Sequence, residues 1–559
     1  MSHGCWPPNR TNRGHPPKED VLSADPSIAS VPAFLAADTS VPLLRATVGD
    51  LLDRAIAAAP ERVALIAIDS DGTERSWTYV ALRHDARQLA AALLSSFEPG
   101  DRVATLAASS AEILHLYLGA ALAGITLVTL NPASKAGEVE YMLRQCDARG
   151  VILDRRFRGV DHEALLSEVR LRLDALSTVV WTDEWDAFLA TGRDHSALPT
   201  VDPDTPALIL FTSGTTGKAK GAVLTHNSIV NNAFFGSARY QLPDGAVWLS
   251  PLPLFHVGGS VTATLACISR VGTQVLMSGF DADRTLAALH TLRVNIMLSV
   301  PTMLVAMLQS PRLDEVDLSA LEIVVTGATV VAPELVRQVA ARMNVETMVM
   351  FGQTETGGAV TLTRRHDPID RVTETIGAPI AHTDCKIIDT ATGLTVLRGV
   401  RGEICVRSPC LMREYFAMPE MTADTIDTDG WVHTGDLGLM RDDGYLQITG
   451  RMKDMIIRGG ENVYPREIED VLAEHPAVAQ AAVYGVPDER YGEQVAVALT
   501  IQPGAHVEVA ELTEFVGARL SRHKVPLHWR IVDEFPMNAS GKIQKFLLLE
   551  QFEQFRRAQ

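Results

Sequence analysis

Long apolar runs are missing from this chain, and so are paired cysteines and an excess of positive charge. Six cysteines stand apart at positions 5, 146, 267, 385, 405 and 410, with no Cys-x-x-Cys and no His-rich segment beside Cys405 and Cys410. That spacing argues against a disulfide framework and against zinc; it fits a reducing cytosol, with thiols as small apolar filler. Acidic residues outnumber basic ones, 68 to 50, for a net charge of −18. So acidic a chain is a poor general binder of nucleic acid, and any nucleotide it handles must meet a local cluster of positive charge. The opening MSHGCWPPNRTNRGHPPKED has no apolar segment of a secretory signal, and residues 1–30 are expected to form a disordered tail. Two charge-free stretches, 113–134 and 245–269, are interrupted by His115 and Asn131-Pro132, and by Pro251, Pro253 and His256. Neither is a clean run of about 20 apolar residues, so no membrane span is expected and the chain reads as cytoplasmic.

What is present is a soluble globular composition, 47% hydrophobic and 21% charged, over 559 residues. That length is too great for one core and implies two or more domains. Val48 to Pro60 has the spacing of an amphipathic helix that stops at the proline. VALIAID (63–69), RVATLAAS (102–109), ITLVTLN (125–131) and GVILD (150–154) read as short apolar strands between helices. VNIMLSVP, LEIVVTGA and VETMVMFG repeat the pattern later, each ending in a Pro or Gly turn. Such alternation predicts an α/β fold of parallel sheets covered by helices. Near residue 400 the pattern changes to short strands with Gly/Asp turns, an antiparallel signature. A domain junction is placed at 451–454, dividing residues 31–451 from 452–559, with Pro465 at a helix start.

Ligands in parallel α/β folds sit beyond the carboxyl ends of strands. Three polar turns fall there: TSGTTGKAKG from Thr212, GAT from Gly327, and GQTETGG from Gly352. The first gathers hydroxyls, bare amides and ammonium groups, a combination suited to a phosphate chain. It is not a P-loop, because Thr212 stands five residues before Gly217 and Ala219 follows Lys218. Taken alone it also reads as an ordinary surface turn.

Further segments follow in order: PLPLFHVGG (251–259), TGAT (326–329), FGQTETGG (351–358), HTGDLG (433–438), GRMKDMIIRGGENVYPREIE (450–469) and NASGKIQK (538–545). Together with TSGTTGKAKG they resemble the adenylate-forming superfamily, which includes acyl-CoA synthetases, adenylation domains of peptide synthetases and firefly-type luciferases. The likeness covers about residues 45 to 548. Two departures stand out: Ala219 where the family usually has Pro, and Phe351 where Tyr is commoner. The resemblance implies a large N-terminal domain of layered parallel sheets with a β-barrel-like part, and a small, mobile α+β C-terminal domain.

It also implies roles. Thr212, Ser213, Gly214, Thr215, Thr216, Gly217 and Lys218 or Lys220 would hold the outer phosphates of ATP. Phe351 would stack on adenine, with Gly327, Ala328 and Gly352 allowing close approach, and Gln353 completes the nucleotide set. Thr354 would bond the α-phosphate and Glu355 would hold Mg²⁺, a hard ion that suits one carboxylate plus phosphate oxygens. Asp436 would accept the ribose hydroxyls, and Arg451 would contact ribose or phosphate. Lys542 would bridge the acid's carboxylate and the α-phosphate. Lys453 would be the hinge. Rotation about it would bring Gly459 and Gly460 to a coenzyme A channel gated by His256.

No carrier-protein segment follows NASGKIQK, so free coenzyme A is the expected thiol. A stand-alone ligase loading an acyl-carrier protein is the second reading, and an inactive nucleotide-binding regulator the third. The expected acyl pocket, 256–266 with 354–360, includes Gly258, Gly259, Gly357 and Gly358 and has no Lys or Arg. It favours a hydrophobic monocarboxylic acid over a dicarboxylate such as malonate. The oligomeric state is open, a homodimer included.

Overall fold

The structure is a computed structural model describing residues 31–194, 197–212, 219–329, 331–459, 461–488, 490–502, 504–537 and 543–558. The expected tail, residues 1–30, lies outside the described residues, as do Ser213 to Lys218, Gly460 and Lys542.

The predicted apolar strands assemble into two large, mainly parallel sheets. In the first, Pro206–Thr212, Thr126–Thr129, Arg102–Leu106, Gly150–Leu153 and Thr178–Trp181 run parallel. In the second, Glu346–Gln353, Ile323–Gly327, Ile296–Ser299, Val247–Ser250, Thr273–Met277 and Val63–Ile68 do so. Side chains alternate across each strand, so each sheet has two apolar faces. Val103, Leu127, Ile152, Leu208 and Leu210 point one way, into a cluster shared with Leu65, Leu276, Ile296 and Val325 of the second sheet. Ala104, Leu106, Val128, Val151 and Ile209 point the other way, against the helices Ala136–Gln145 and His162–Val169.

The shared cluster is filled by helices Tyr79–Leu94, Ala111–Ala123 and His226–Ala238. Ala111–Ala123 is buried on all sides, which is why its sequence is almost wholly apolar. Ser110 caps it, its hydroxyl accepting the Ile113 N–H, and Gly124 ends it at φ +68. The helix, turn and strand expected over 113–134 are therefore an interior element. Among the described residues no helix is long and apolar enough to cross a membrane.

Beyond Thr375 the chain adds Asp384–Ile388, Gly402–Arg407, Val432–Met440 and Leu446–Arg451 to the early strand Phe34–Leu35, making a five-stranded antiparallel sheet. The remainder has its own core of Ile456, Ile468, Leu472, Val483, Val497 and Leu512. Here Val478–Asp488 and Gly492–Ile501 pair antiparallel under helix Pro465–Ala473, with Pro465 in its first turn. A separate core is what lets a small C-terminal unit fold as a body of its own.

Candidate active site

Thr212 closes one parallel strand of the first sheet, and Gln353 closes one of the second. The two carboxyl ends meet: Thr212 Oγ1 donates to Glu355 Oε1 at 3.1 Å. Two of the three polar turns are thus joined by a direct bond. The third is adjacent, since Gly327 pairs with Met350 at the end of its strand. The strand Lys220–Thr225 pairs antiparallel with Pro206–Thr212, Thr212 opposite Lys220. This is a further difference from a P-loop, which opens a helix.

Glu355 has a second hydroxyl partner that the sequence reading did not single out. Tyr415 lies on the short strand Glu414–Tyr415, paired to Lys220–Thr225, and donates to Glu355 Oε1 at 2.7 Å. Burial, and then the Glu355 carboxylate, push the phenol well above its ordinary range, so it stays protonated and donates. The Lys220 ammonium sits 4.2 Å from the centre of the Tyr415 ring, and the Glu355 carbonyl accepts the Met412 N–H at 2.8 Å. Thr354 and Glu355 occupy a half-buried 3₁₀ turn, Thr354–Thr356.

Asn232 fastens that turn from behind. It is fully buried on helix His226–Ala238; its Nδ2 donates to the carbonyls of Ala359 (2.8 Å) and Thr356 (3.3 Å), and its Oδ1 accepts the Ala359 N–H at 3.0 Å. A polar residue on an otherwise core-facing helix was the signal available in the sequence.

Asp436 is 1% exposed and held at both oxygens. Arg451 Nε lies 2.7 Å from Oδ1, and Gln353 Nε2 donates to Oδ2 at 2.6 Å. Asp436, Arg451 and Gln353 are therefore one cluster, although 98 residues separate Gln353 from Arg451 (451 − 353). The turn before Asp436 is fixed by Glu403, whose Oε1 accepts the Gly435 N–H at 3.0 Å and whose Oε2 lies 2.9 Å from His433 Nδ1. Cys405 Sγ is 3.7 Å from the same nitrogen, a proximity hidden by sequence distance. Both Glu403 oxygens are thus engaged in holding the turn, and burial pushes the Cys405 thiol well up. The other described cysteines are also free and buried.

Backbone approaches closely at several of the expected glycines. A Cβ on Gly327 would lie 2.1 Å from the Met350 carbonyl oxygen, and one on Gly352 would lie 1.8 Å from that of Gly358. Neighbouring strands leave no room for a side chain at either position. Ala328 is exposed and left-handed at φ +65, which costs an alanine roughly 1–2 kcal/mol. Phe351 is 7% exposed and packs with Val360, Ile387, Ile404 and Val432, bridging the second and third sheets.

The four glycines expected along an acyl pocket do not line the narrow crevice beside the turn. Gly259 is pressed on the Pro253 carbonyl, Gly357 on that of Cys410, Gly358 on Asn232 and Thr262, and Gly258 on Leu252. The crevice is nowhere wide enough for a water molecule. Its walls are Asn232, Gly236, Tyr240, Thr262, Met350 and Ala359, with Ala233, Ser237 and Ala266. Thr262 and Ala266 belong to the expected wall. The helix His226–Ala238 was not foreseen there.

His256 precedes a π-helix, Gly258–Leu265, in which Thr264 Oγ1 reaches back to the Gly259 carbonyl at 2.8 Å. Such bulges are frequent at functional sites. Burial pushes the His256 imidazole down to about 4, so it is neutral near pH 7, and its ring centre lies 4.7 Å from that of Phe255. Lys453 is exposed in the 3₁₀ turn Met452–Asp454, directly after the strand that ends at Arg451. Gly459 is left-handed at φ +63, and its N–H donates to the Tyr491 carbonyl at 2.7 Å. Lys542, Gly460 and Ser213, Gly214, Thr215, Thr216, Gly217 and Lys218 lie outside the described residues.

Residues 52–416 match the AMP-binding enzyme family, and residues 467–542 match the AMP-binding enzyme C-terminal domain. The chain belongs to the AMP-binding enzyme family. The enzyme is 34% identical to YngI of Bacillus subtilis (strain 168) over 537 residues, covering 91% of this chain and 97% of that one. It is 32% identical to the mitochondrial medium-chain acyl-CoA ligase ACSF2 of Rattus norvegicus, over 93% of this chain and 90% of that one. ATP-bound MatB from Rhodopseudomonas palustris superposes with TM-score 0.82 at 29% identity, over 90% of this chain and 99% of that one. Apo MatB superposes with TM-score 0.72 at the same identity and over the same shares. The family and these relatives make this an AMP-forming ligase of the acyl-CoA synthetase class.

Proposed function

We propose that the enzyme joins a hydrophobic monocarboxylic acid, medium-chain, alicyclic or aromatic, to coenzyme A at the expense of ATP. A carboxylate is a poor acyl donor because its leaving group would be an oxide. The acid's oxygen therefore attacks the α-phosphorus, pyrophosphate departs, and a mixed anhydride with AMP results. A thiolate then attacks the acyl carbon, and AMP leaves with the anhydride oxygen. The chemistry needs positioning and charge neutralisation more than covalent help.

The observation that carries this reading is the Thr212–Glu355–Tyr415 junction, which holds the phosphate-type hairpin against the 354–358 turn. Oxygen donors on Thr212 and Glu355 fit Mg²⁺, which when bound would neutralise phosphate charge. Lys220 is the described cation beside that junction. Asp436, already gripped by Gln353 and Arg451, would share its remaining lone pairs with ribose hydroxyls. Lys542 is assigned the bridge between the two anions. The domains are 31–451 and 452–559, with Lys453 as pivot and Gly459 and Gly460 along the thiol's path. The likeness to the medium-chain acyl-CoA ligase of Rattus norvegicus supports a medium-chain tail.

The test is acid-dependent pyrophosphate release across a panel of acids, followed by offering the adenylate either free coenzyme A or an acyl-carrier protein. Release with thioester on coenzyme A is the expected result. Transfer to the carrier protein alone would make it a carrier-loading ligase, and no release with any acid would leave a nucleotide-binding regulator.

A further inference from the structure

His433 stands in the HTGDLG segment, yet the ligase chemistry gives it no task. It lies on strand Val432–Met440, directly opposite Cys405 of strand Gly402–Arg407. Glu403, two residues before Cys405, is on the same face of the sheet. Glu403 opposes Leu437, so a step of two residues on one strand matches a step of four on the other. Irregular pairing of this kind re-aims side chains. Here it gathers three different donors: one ligand atom from each of Glu403, Cys405 and His433 lies within 4.8 Å of the others. Glu403 Oε2 is 2.9 Å from His433 Nδ1, and Cys405 Sγ is 3.7 Å from it.

A thiol, an imidazole and a carboxylate together are a donor set that zinc takes. Ligands about 2.0–2.3 Å from a tetrahedral centre stand roughly 3.3–3.6 Å apart. Sγ and Nδ1 are close to that spacing, and Oε2 need only move out by about 0.4 Å. The charge also fits. Glu403 is 6% exposed, and its ion partner among the described residues is His433. A dication with one carboxylate, one thiolate and a neutral imidazole has no net charge, which burial tolerates better than a lone carboxylate. Asp427 Oδ2 lies 3.7 Å from His433 Nε2, the place of the carboxylate that commonly backs a metal-bound histidine. The His433 and Asp427 side chains are 32% and 31% exposed, which leaves a path from solvent.

We propose that Glu403, Cys405 and His433 form a site for one zinc ion, separate from the Mg²⁺ assigned to Glu355, with water completing the tetrahedron. The Glu403 carboxylate can only accept, so Nδ1 carries the hydrogen between them. On binding, that proton moves to Nε2, facing Asp427, and the Cys405 thiol gives its proton to solvent, one per ion bound. Burial keeps the free thiol protonated, and coordination takes the proton's place. Glu403 Oε1 keeps the Gly435 N–H throughout. The ion thus replaces the proton between Glu403 and His433 and stiffens the turn that leads to Asp436.

The test uses Co²⁺, which takes zinc sites and shows a thiolate charge-transfer band in the near ultraviolet, on the full-length enzyme. The parent carries Cys5→Ser, which removes the cysteine outside the described residues, two positions after His3. It should bind one Co²⁺ per chain with that band, and one equivalent of Zn²⁺ should bleach it. Co²⁺ at Glu355 would meet oxygen donors and give no such band. Cys405→Ala should abolish the band. Glu403→Gln and His433→Gln should weaken Co²⁺ binding about 100-fold or more, and Asp427→Asn about 10–100-fold. X-ray absorption at the zinc edge of the parent, which needs no variant at the site, should find one sulfur among nitrogen and oxygen ligands. No band, a band that survives Cys405→Ala, or a zinc shell without sulfur would overturn the proposal.

Discussion

At the scale of single residues, one carboxylate oxygen carries much of the site. Glu355 Oε1 receives Thr212 from one sheet and Tyr415 from a strand added at that sheet's edge. A hydrogen bond to a charged acceptor contributes about 1.5–3 kcal/mol when it is buried. Tyr415→Phe keeps the ring under Lys220 and removes only the hydroxyl. In the proposed reaction the loss should appear in kcat for pyrophosphate release, by about 10–100-fold, with the acid's KM little changed. A variant that melts lower yet turns over normally would mark Tyr415 as a packing residue. Glycines teach the opposite lesson at this scale. Gly327 and Gly352 stand beside the site, but each is bare because a carbonyl of the adjoining strand lies where its Cβ would be.

Elements were the most legible level. Strands such as Val63–Ile68 and Gly150–Leu153 fall where apolar runs between Gly, Pro and Asp signals place them, because burial on both faces demands continuous apolar sequence. Helix Val48–Ala58 stops just before Pro60, as read. The hairpin at Thr212–Lys220 and the π-helix Gly258–Leu265 were not legible, since neither has a period of its own. In the site, motif residues such as Glu355, Gln353 and Asp436 could be named, whereas Tyr415 and Asn232 matter only through contacts made across the fold. Helix His226–Ala238 shows what such contacts impose. His226, its first residue, is fully buried; its Nδ1 accepts the Val48 N–H at 3.3 Å, and desolvation pushes it down to about 4. Asp50, on the facing helix Val48–Ala58, opposes that shift. A histidine whose folded pKa is below its unfolded value of about 6.5 takes up protons more readily when unfolded. Its contribution is complete above pH 6.5 and drains away as pH falls towards 4, by at most about 3 kcal/mol. His256 shifts in the same direction. Denaturant melts between pH 7 and 4.5 should lose stability on acidification. His226→Gln, less stable at pH 7, should show a shallower slope; an unchanged slope would assign the acid sensitivity to other groups.

For the whole molecule, the question is how one site serves two reactions in sequence. The C-terminal unit has a core of its own and touches the rest at Tyr464, whose ring lies 4.3 Å from the Arg401 guanidinium. The chain as a whole superposes on ATP-bound MatB with TM-score 0.82 and on apo MatB with 0.72. If this is the adenylating pose, Lys542→Ala should abolish pyrophosphate release yet spare thioester formation from supplied acyl-adenylate. Equal loss of both steps would contradict a moving lysine. The pivot can be tested separately. Lys453 is exposed in a 3₁₀ turn, where φ lies near −50 to −70°. Proline's ring fixes φ at about −65°, so it fits the present pose and resists leaving it. It also biases Met452 away from the helical region, so some stability should be lost. Such a loss weakens both half-reactions alike and cancels in their ratio. Lys453→Pro should therefore lower the rate of thioester formation relative to adenylation, measured in single turnover from acid plus ATP and from supplied acyl-adenylate plus coenzyme A. A ratio equal to that of wild type would move the pivot away from residue 453 and leave the rotation itself to be sought elsewhere in the 451–454 segment.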